Sequence, residues 1–335
     1  MRTLIFGAGA IGQWLGALLH SSGTPVELFG RPGMAAKLAQ AGGIVLCDSS
    51  PLALPFLSDP REIQGRRFDT VICTVKTYAV EDALRDLRKA EVSFERLVSF
   101  QNGWGSEEHY RDVFPSLPLW SATTTRAVGV EPDGRLLPSN KGGLAVAPWG
   151  TEDGIPECFK KVKIPLIKVE RGIDLKWSKL LLNLIGNATG AVTGLAPAGL
   201  AQNPRLMRTE LLLAREALAV GRALGARRVN LPGFPVVALS EALERLPLKV
   251  VAPLIGTRLR GARGDKLPSL FFDLEEPTRP TELDHLNGAV VTQGQRLGVP
   301  TPKQKALVDL FHRCRSRPEV WSAVRNQPDK MMEYV

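Results

Sequence analysis

The sequence contains few cysteines, histidines and aromatic residues. Its 335 residues include 4 Cys, 4 His and 6% aromatic residues. The cysteines lie far apart and form no CxxC pair or cysteine–histidine cluster; they are Cys47, Cys73, Cys158 and Cys314. This pattern excludes a disulfide-stapled secreted fold and offers no metal site. We therefore expect a cytoplasmic protein that binds no metal.

Long hydrophobic runs are also scarce. The apolar stretch after Arg2 is interrupted by glycine from Gly7 onward, which indicates a buried first strand rather than a signal peptide. The segment from Leu180 to Ala201 is long enough for a membrane span, but it contains two asparagines and Pro197. We expect a buried helix followed by a turn there, and no membrane association.

Charge and composition point to a globular protein of two domains. The net charge is +9, from 43 Lys+Arg against 34 Asp+Glu, and 44% of the residues are hydrophobic. The basic residues are scattered and lack interleaved aromatic residues, so we expect no nucleic-acid partner. An anionic small molecule suits the same charge.

A glycine-rich turn opens the chain. Thr3 to Phe6 form a short apolar run, and the GxGxxG pattern follows from Gly7 to Gly12. Apolar residues then recur at helical spacing, and Val26 to Phe29 form a second apolar run. This order of strand, turn, helix and strand is the setting in which the pattern binds a dinucleotide, with the pyrophosphate at the helix N-terminus. The sequence therefore predicts a Rossmann-like domain.

The end of the second strand indicates which dinucleotide binds. An acidic residue there would bind the ribose hydroxyl of NAD, whereas an arginine suits the additional phosphate of NADP. The chain reads Phe29-Gly30-Arg31, and Glu27 lies too early in the strand to reach a ribose. Arg31 therefore predicts NADP(H), with a solvated loop arginine as the alternative.

Two later strands also end in polar residues. Lys76 follows the apolar run from Asp69 to Val75, and Asn102 follows the run from Arg96 to Phe100. Ligands bind outside the carboxyl ends of strands in open α/β sheets, so both residues are candidates for the cleft. A surface lysine and a turn asparagine are the alternatives.

From Thr123 to Val169, short strands are expected to extend the sheet edge in antiparallel fashion.

The second half of the chain is helical in character. We place the domain boundary near Arg171, which gives an N-terminal domain of residues 1–171 and a C-terminal domain of residues 172–335. Thr281 is expected to cap a helix that continues to Leu297, so Glu282 could simply complement that helix dipole.

Three polar residues interrupt an apolar helix. Lys179, Asn183 and Asn187 are spaced by four, so they are expected to share one face of a buried helix. An ammonium and two amides in such a place need partners, which a ligand cleft would supply. Alternatively, Lys179 reaches solvent and the asparagines bond to backbone. Lys176, a competing lysine, lies outside this row.

These residues together give the chain a resemblance to the ketopantoate reductase (2-dehydropantoate 2-reductase) family over nearly its full length. The motifs that carry it are the glycine turn, Arg31, Val75-Lys76-Thr77, Gln101-Asn102-Gly103, Trp177-Ser178-Lys179 with its two asparagines, and Arg279 to Asp284 running into Asn287-Gly288. The resemblance implies an α/β fold: a Rossmann-like NADPH-binding domain and an all-helical domain of the 6-phosphogluconate dehydrogenase type. It also implies reduction of ketopantoate to pantoate in pantothenate and coenzyme A biosynthesis, and leaves a homodimer open.

The resemblance also assigns roles. Lys179 would be the proton donor, with Glu282 as a second catalytic residue. The cofactor would be bordered by Gly7, Ala8, Gly9, Ala10, Ile11, Gly12, Arg31, Lys76, Asn102, Val128 and Glu282. The substrate, a 2-oxo acid, would be bound by Asn102, Lys179, Asn183, Asn187 and Ser269.

Two departures from the family pattern leave the identity of the substrate undecided. Pro197 stands where the family often has a further asparagine, and the segment from Phe271 to Thr281 is about one residue longer than usual. They permit a reductase of another 2-oxo acid as an alternative interpretation. A non-catalytic NADP(H)-binding sensor on the same scaffold is a separate alternative. The row formed by Lys179 and its asparagines argues against the sensor.

Overall fold

The computed structural model describes residues 2–263 and 266–335, with the side chains of 258–263 left aside. The chain forms two compact units. The first contains the residues up to Gln101, Gly105–Lys176 and Asn230–Phe234. The second contains Asn102–Trp104, Trp177–Val229 and the described part of Pro235–Val335.

The first unit is built on an eight-stranded sheet. Its strands and those of a separate small hairpin are β1 Thr3–Phe6, β2 Val26–Phe29, β3 Phe56–Leu57, β4 Arg67–Cys73, β5 Ser93–Ser99, β6 Leu119–Thr124, β7 Val128–Val130, β8 Leu136–Pro138, β9 Leu144–Pro148 and β10 Leu166–Lys168. The order across the large sheet is β10-β9-β6-β5-β4-β1-β2-β3. Strands β1 to β6 run parallel, which is the arrangement of a Rossmann-like domain.

Helices cover both faces of this sheet. They are α1 Ala10–Ser21, α2 Pro32–Ala41, α3 Val80–Lys89 and α4 Ser106–Val113. Successive residues of β1 alternate between two core clusters: Ile5 packs with Leu15 of α1, whereas Leu4 packs with Leu84 of α3. All four residues of β1 are buried because both faces of a parallel sheet are covered.

The edge of the sheet differs from its expected arrangement. Strand β9 is antiparallel to β6, as expected, but β10 runs parallel to β9. Strands β7 and β8 pair with each other as a separate two-stranded sheet. The long connection after β9 explains the parallel pair, because parallel neighbours need a crossover longer than a hairpin turn.

The described residues of the second unit form helices joined by loops and contain no strand. The helices of this half are α5 Gly172–Leu184, α6 Ala188–Thr193, α7 Pro197–Gln202, α8 Pro204–Ala223, α9 Val236–Arg245, α10 Leu248–Arg263, α11 Ser269–Glu275, α12 Asn287–Leu297, α13 Pro302–Ser316, α14 Pro318–Val324 and α15 Pro328–Met332. Local signals set several ends: the Asn203 side chain accepts from two amides at the start of α8, and Gly298 adopts a left-handed conformation after α12. The predicted fold class, Rossmann-like followed by all-helical, is confirmed.

The segment considered for a membrane span is divided among three short helices. It covers the end of α5, all of α6 and most of α7. Among residues 2–263 and 266–335, no helix combines the length and apolarity that crossing a membrane requires.

Candidate functional site

The glycine turn after β1 closes on the neighbouring strand β4. Gly7 has a φ of +118°, and a Cβ there would come within 2.6 Å of the Val75 amide nitrogen. Its own amide donates to Phe29 O at 2.9 Å, and its carbonyl accepts from Thr74 Oγ1 at 2.5 Å. Only glycine tolerates this backbone and this crowding, so the turn depends on Gly7.

The next two glycines serve different purposes. A Cβ on Gly12 would lie 1.9 Å from Gly7 O, so helix α1 packs directly on the turn. A Cβ on Gly9 would meet nothing within 4 Å, so open space lies in front of the residue that precedes α1. The amides of the first helical turn have no partners inside the helix, and they point toward that end. This arrangement fits a phosphate group.

The tip of β2 lies against the same turn. A Cβ on Gly30 would come within 2.7 Å of Ala8 Cβ, and the exposed Arg31 follows directly as the residue that precedes α2. Glu27 is held by ion pairs with Arg2 and Arg66, each at 2.7 Å. A basic residue therefore directly follows the strand end that lies against the glycine turn, while the acidic side chain of β2 is held by two arginines.

Two further residues expected at the cofactor belong to the first unit. Lys76 is exposed and precedes the 3₁₀ turn Thr77–Ala79, just beyond the end of β4. Val128, in β7, packs into the core cluster that includes Ala10 and Ile11 at the start of α1. Strand β7 therefore packs against helix α1, the helix that follows the glycine turn.

The row of three polar residues is split by the end of a helix. Lys179 is half-buried and Asn183 is buried, and both lie on α5. The helix ends at Leu184, however, and Gly186 follows with a φ of +71°, so Asn187 precedes α6 instead of extending α5. The expectation of one continuous helix through Asn187 is wrong, because the left-handed glycine ends the helix.

Asn187 nevertheless lies beside another predicted site residue. Its Oδ1 accepts a hydrogen bond of 3.5 Å from the amide of Leu270, the residue after Ser269. Ser269 is the exposed first residue of α11. The break after α5 therefore brings Asn187 to the start of the helix that carries Ser269.

The loop of Asn102 packs on the turn that follows Glu282. The Trp104 amide donates to His285 O at 2.9 Å, and a Cβ on Gly103 would come within 2.5 Å of the same oxygen. The Trp104 ring also meets the Trp177 ring edge to face, with centroids 5.1 Å apart. This loop thus connects the segment of Glu282 with the helix of Lys179.

Glu282 itself does not lie in the helix that was expected. A 3₁₀ turn, Leu283–His285, follows it, and α12 begins only at Asn287. The Thr281 hydroxyl accepts from the Leu283 amide at 3.1 Å and therefore closes a local turn instead of capping a long helix. Glu282 is half-buried at the start of that turn.

The competing lysine has a different environment. The Lys176 side chain is 1% exposed, and its Nζ lies 2.9 Å from Glu107 Oε1 and 2.6 Å from the carbonyl oxygen of Gln101. Burial alone would raise the pKa of Glu107, but the charge of Lys176 and a hydrogen bond from Ser99 hold it below its ordinary value. Lys176 is therefore part of a buried ion pair, and it is unavailable to a substrate.

Sequence reasoning missed a buried carboxylate near the helix break. Glu210 of α8 is 1% exposed, and its Oε2 accepts from the Gly186 amide at 2.8 Å. Its position among the apolar residues of α8 was a signal of the same kind as that of Lys179.

Within residues 2–263 and 266–335, no cluster of three or more His, Cys, Asp or Glu side chains could hold a metal.

Known proteins match the chain along both halves. The family model described as ketopantoate reductase PanE/ApbA matches residues 3–150, and its C-terminal counterpart matches residues 173–315. A 2-dehydropantoate 2-reductase of Pyrococcus horikoshii is 25% identical over 307 residues, which are 90% of this chain and 93% of that protein.

Solved structures share the fold. A PanE/ApbA family ketopantoate reductase from Ralstonia eutropha JMP134 has a TM-score of 0.77 at 23% identity, over 95% of this chain and 100% of that one. A D-mandelate dehydrogenase, solved with NADH and anilino(oxo)acetate, has a TM-score of 0.77 at 20% identity, over 94% and 99%.

Proposed function

Because the chain belongs to the ketopantoate reductase family, we propose that it reduces ketopantoate to pantoate with NADPH, a step of pantothenate and coenzyme A biosynthesis. One observation carries the proposal beyond family membership. Within the second unit, Lys179 and Asn183 lie on α5, Asn187 bonds beside Ser269, and the Asn102 loop packs against the turn that follows Glu282. A sensor that only binds a dinucleotide would not require this set.

The residues present fit a dinucleotide. The open space in front of Gly9 and the amides of the first turn of α1 suit its pyrophosphate, and Arg31 beside that turn suits the extra phosphate of NADPH. We assign the cofactor to Gly7, Ala8, Gly9, Ala10, Ile11, Gly12, Arg31, Lys76, Asn102, Val128 and Glu282. When bound, its nicotinamide supplies the hydride for the carbonyl carbon.

The side chains of the second unit would manage charge and protons. As the ketone is reduced, negative charge grows on its oxygen, and Lys179 would stabilise that charge through Nζ and then give the oxygen a proton. Asn102, Asn183, Asn187 and Ser269 would hold the substrate by hydrogen bonds, and Glu282 would act as a second catalytic residue. The reaction balances as ketone plus hydride plus proton to give the alcohol.

The remaining expectations follow from this assignment. Residues 1–171 would bind the cofactor and residues 172–335 would bind the substrate and perform catalysis, in a cytoplasmic enzyme. A homodimer stays a prediction.

A substrate panel with one variant tests the proposal. We expect the wild-type chain to oxidise NADPH in the presence of ketopantoate, with much slower turnover for NADH. Lys179→Ala should lower kcat by about 100- to 10,000-fold, the usual contribution of a general acid. Lys305→Ala, which removes an exposed lysine of α13, is the matched control and should retain activity.

The other outcomes of that panel separate the alternatives. Tight NADPH binding without turnover on any 2-oxo acid would support the sensor. Retained kcat in Lys179→Ala would contradict the assigned proton donor. Equal use of NADH and NADPH would contradict the role of Arg31.

One observation favours a second candidate, a reductase of another 2-oxo acid. Pro197 is the buried first residue of α7, and its ring offers no hydrogen bond where the family often has an asparagine. The structural similarity to D-mandelate dehydrogenase, with its anilino(oxo)acetate ligand, supports including aromatic 2-oxo acids in the panel. Turnover of a branched or aromatic 2-oxo acid, with none on ketopantoate, would establish this candidate in place of the first.

A further inference from the structure

The segment before Glu282 is bound by an arginine from α13. The Arg315 guanidinium donates to the carbonyl of Pro277 through Nε at 3.1 Å and Nη2 at 2.8 Å, and it also donates to the carbonyl of Arg279. A planar fork with several fixed donors suits two carbonyl groups on one short stretch of backbone. Arg315 therefore fixes the path of the chain just before Glu282.

A histidine one turn earlier on α13 binds the other side of Glu282. His312 Nε2 lies 2.9 Å from Oδ1 of Asp284. Residues three apart on a helix share a face, so His312 and Arg315 reach the same segment. One helix thus binds the backbone before Glu282 and the side chain just after it.

A second helix, α11, also binds this segment. Asp273 Oδ2 accepts a hydrogen bond of 2.9 Å from the Thr281 hydroxyl, and Asp273 is buried. Glu282 is therefore anchored on both sides within a few residues of its own backbone.

We propose that His312 and Arg315 are positioning residues that hold the turn of Glu282 in the conformation required for reduction. This role rests on the proposed function. Neither residue is assigned to substrate or cofactor; each acts through the segment from Pro277 to Asp284.

The charges around the pair are consistent with this geometry. The hydrogen bond from His312 lowers the pKa of Asp284, and the same bond raises the pKa of His312. Arg315 and His285 also act on Asp284, and Arg315 and Asp309 act on His312. A raised histidine pKa means that the ion pair is present at low pH and is lost as the pH rises through that pKa.

A double-mutant cycle tests the proposal. Arg315→Gln should lower kcat/KM for the 2-oxo acid by about 10- to 100-fold, because small misplacements of site residues are costly. If Arg315 acts through Glu282, the same substitution should change little further in a Glu282→Gln background. Arg313→Gln is the matched control, since that guanidinium lies over the Tyr334 ring at 5.0 Å.

A pH profile tests the histidine separately. Glutamine retains a neutral donor, so the ratio of wild-type to His312→Gln kcat/KM should be largest at mildly acidic pH. It should then fall toward one as the pH rises through the histidine pKa. A ratio that is independent of pH would overturn the role of His312.

The failures of the two proposals are distinguishable. Hydrogen exchange of the peptide covering residues 276–286 should accelerate in Arg315→Gln and stay unchanged in Arg313→Gln, whatever the substrate. A wild-type chain that reduces no 2-oxo acid overturns the proposed function. An active wild-type chain in which the losses from Arg315→Gln and Glu282→Gln simply add, or in which exchange is unaltered, overturns the positioning role alone.

Discussion

Two lysines three residues apart on α5 have different environments. Lys179 is half-buried, whereas the Lys176 side chain is almost fully buried against Glu107. Glu107 Oε1 also accepts hydrogen bonds from the hydroxyls of Ser99 and Ser121. Such a pair is weak evidence for net stability, but breaking it leaves one buried charge without its partner.

At the residue scale, we predict that removing one member of this pair is costly. Lys176→Met should lower the free energy of unfolding by about 3–5 kcal/mol, because the buried Glu107 carboxylate loses its counterion. In the double variant with Glu107→Gln, the free energy of unfolding should fall by much less than the sum of the two single decreases. Urea unfolding followed by tryptophan fluorescence measures both, and additive losses would show that the two charges do not interact.

At the scale of elements, the break between α5 and α6 determines where Asn187 lies. Gly186 adopts the left-handed conformation there, and its amide donates to the buried Glu210 of α8. A residue with a side chain pays about 1–2 kcal/mol in that conformation. The position of Asn187 therefore depends on one glycine and on a carboxylate from another helix.

We predict that Gly186→Ala harms stability and activity together. The free energy of unfolding should fall by about 1–2 kcal/mol, and kcat/KM for the 2-oxo acid should fall as well, because Asn187 moves. Gly298→Ala is the matched control: Gly298 is left-handed after α12, and a Cβ there meets nothing within 4 Å. It should lose similar stability and keep its kcat/KM; equal activity in the two variants would contradict the role of the break.

At the scale of the whole molecule, several partly buried carboxylates share one response to pH. Burial alone would raise the pKa of Glu244, but hydrogen bonds from Arg228 and Arg222 lower it below the ordinary value. Burial would also raise the pKa of Glu27, but hydrogen bonds from Arg2 and Arg66 lower it below the ordinary value. Groups with lowered pKa values stabilise the fold above the ordinary carboxyl range and lose that contribution as the pH falls.

We predict acid sensitivity from these groups. The urea midpoint should vary little between about pH 7 and pH 5 and should fall below about pH 4.5, as the carboxylates become protonated. Glu244→Gln should be less stable at neutral pH and show a shallower acid loss, whereas Glu108→Gln, at an exposed position of α4, should follow the wild type. An unchanged acid slope in Glu244→Gln would contradict the prediction.

The sequence by itself determined the features that neighbouring residues produce. The apolar runs gave the bounds of β1 and β2 as the structure has them, and the glycine pattern predicted the turn before α1. These are local features, since a short stretch of chain contains both the signal and its effect.

Only the tertiary structure decided the features that depend on distant partners. The break after α5 involves Glu210, the burial of Lys176 requires Glu107, and the turn of Glu282 is bound by residues of α13. The four-residue spacing of Lys179, Asn183 and Asn187 could not reveal that the helix ends between the last two. A spacing describes one helix, whereas hydrogen bonds and ion pairs from elsewhere in the chain determine where that helix stops and which charged groups are buried.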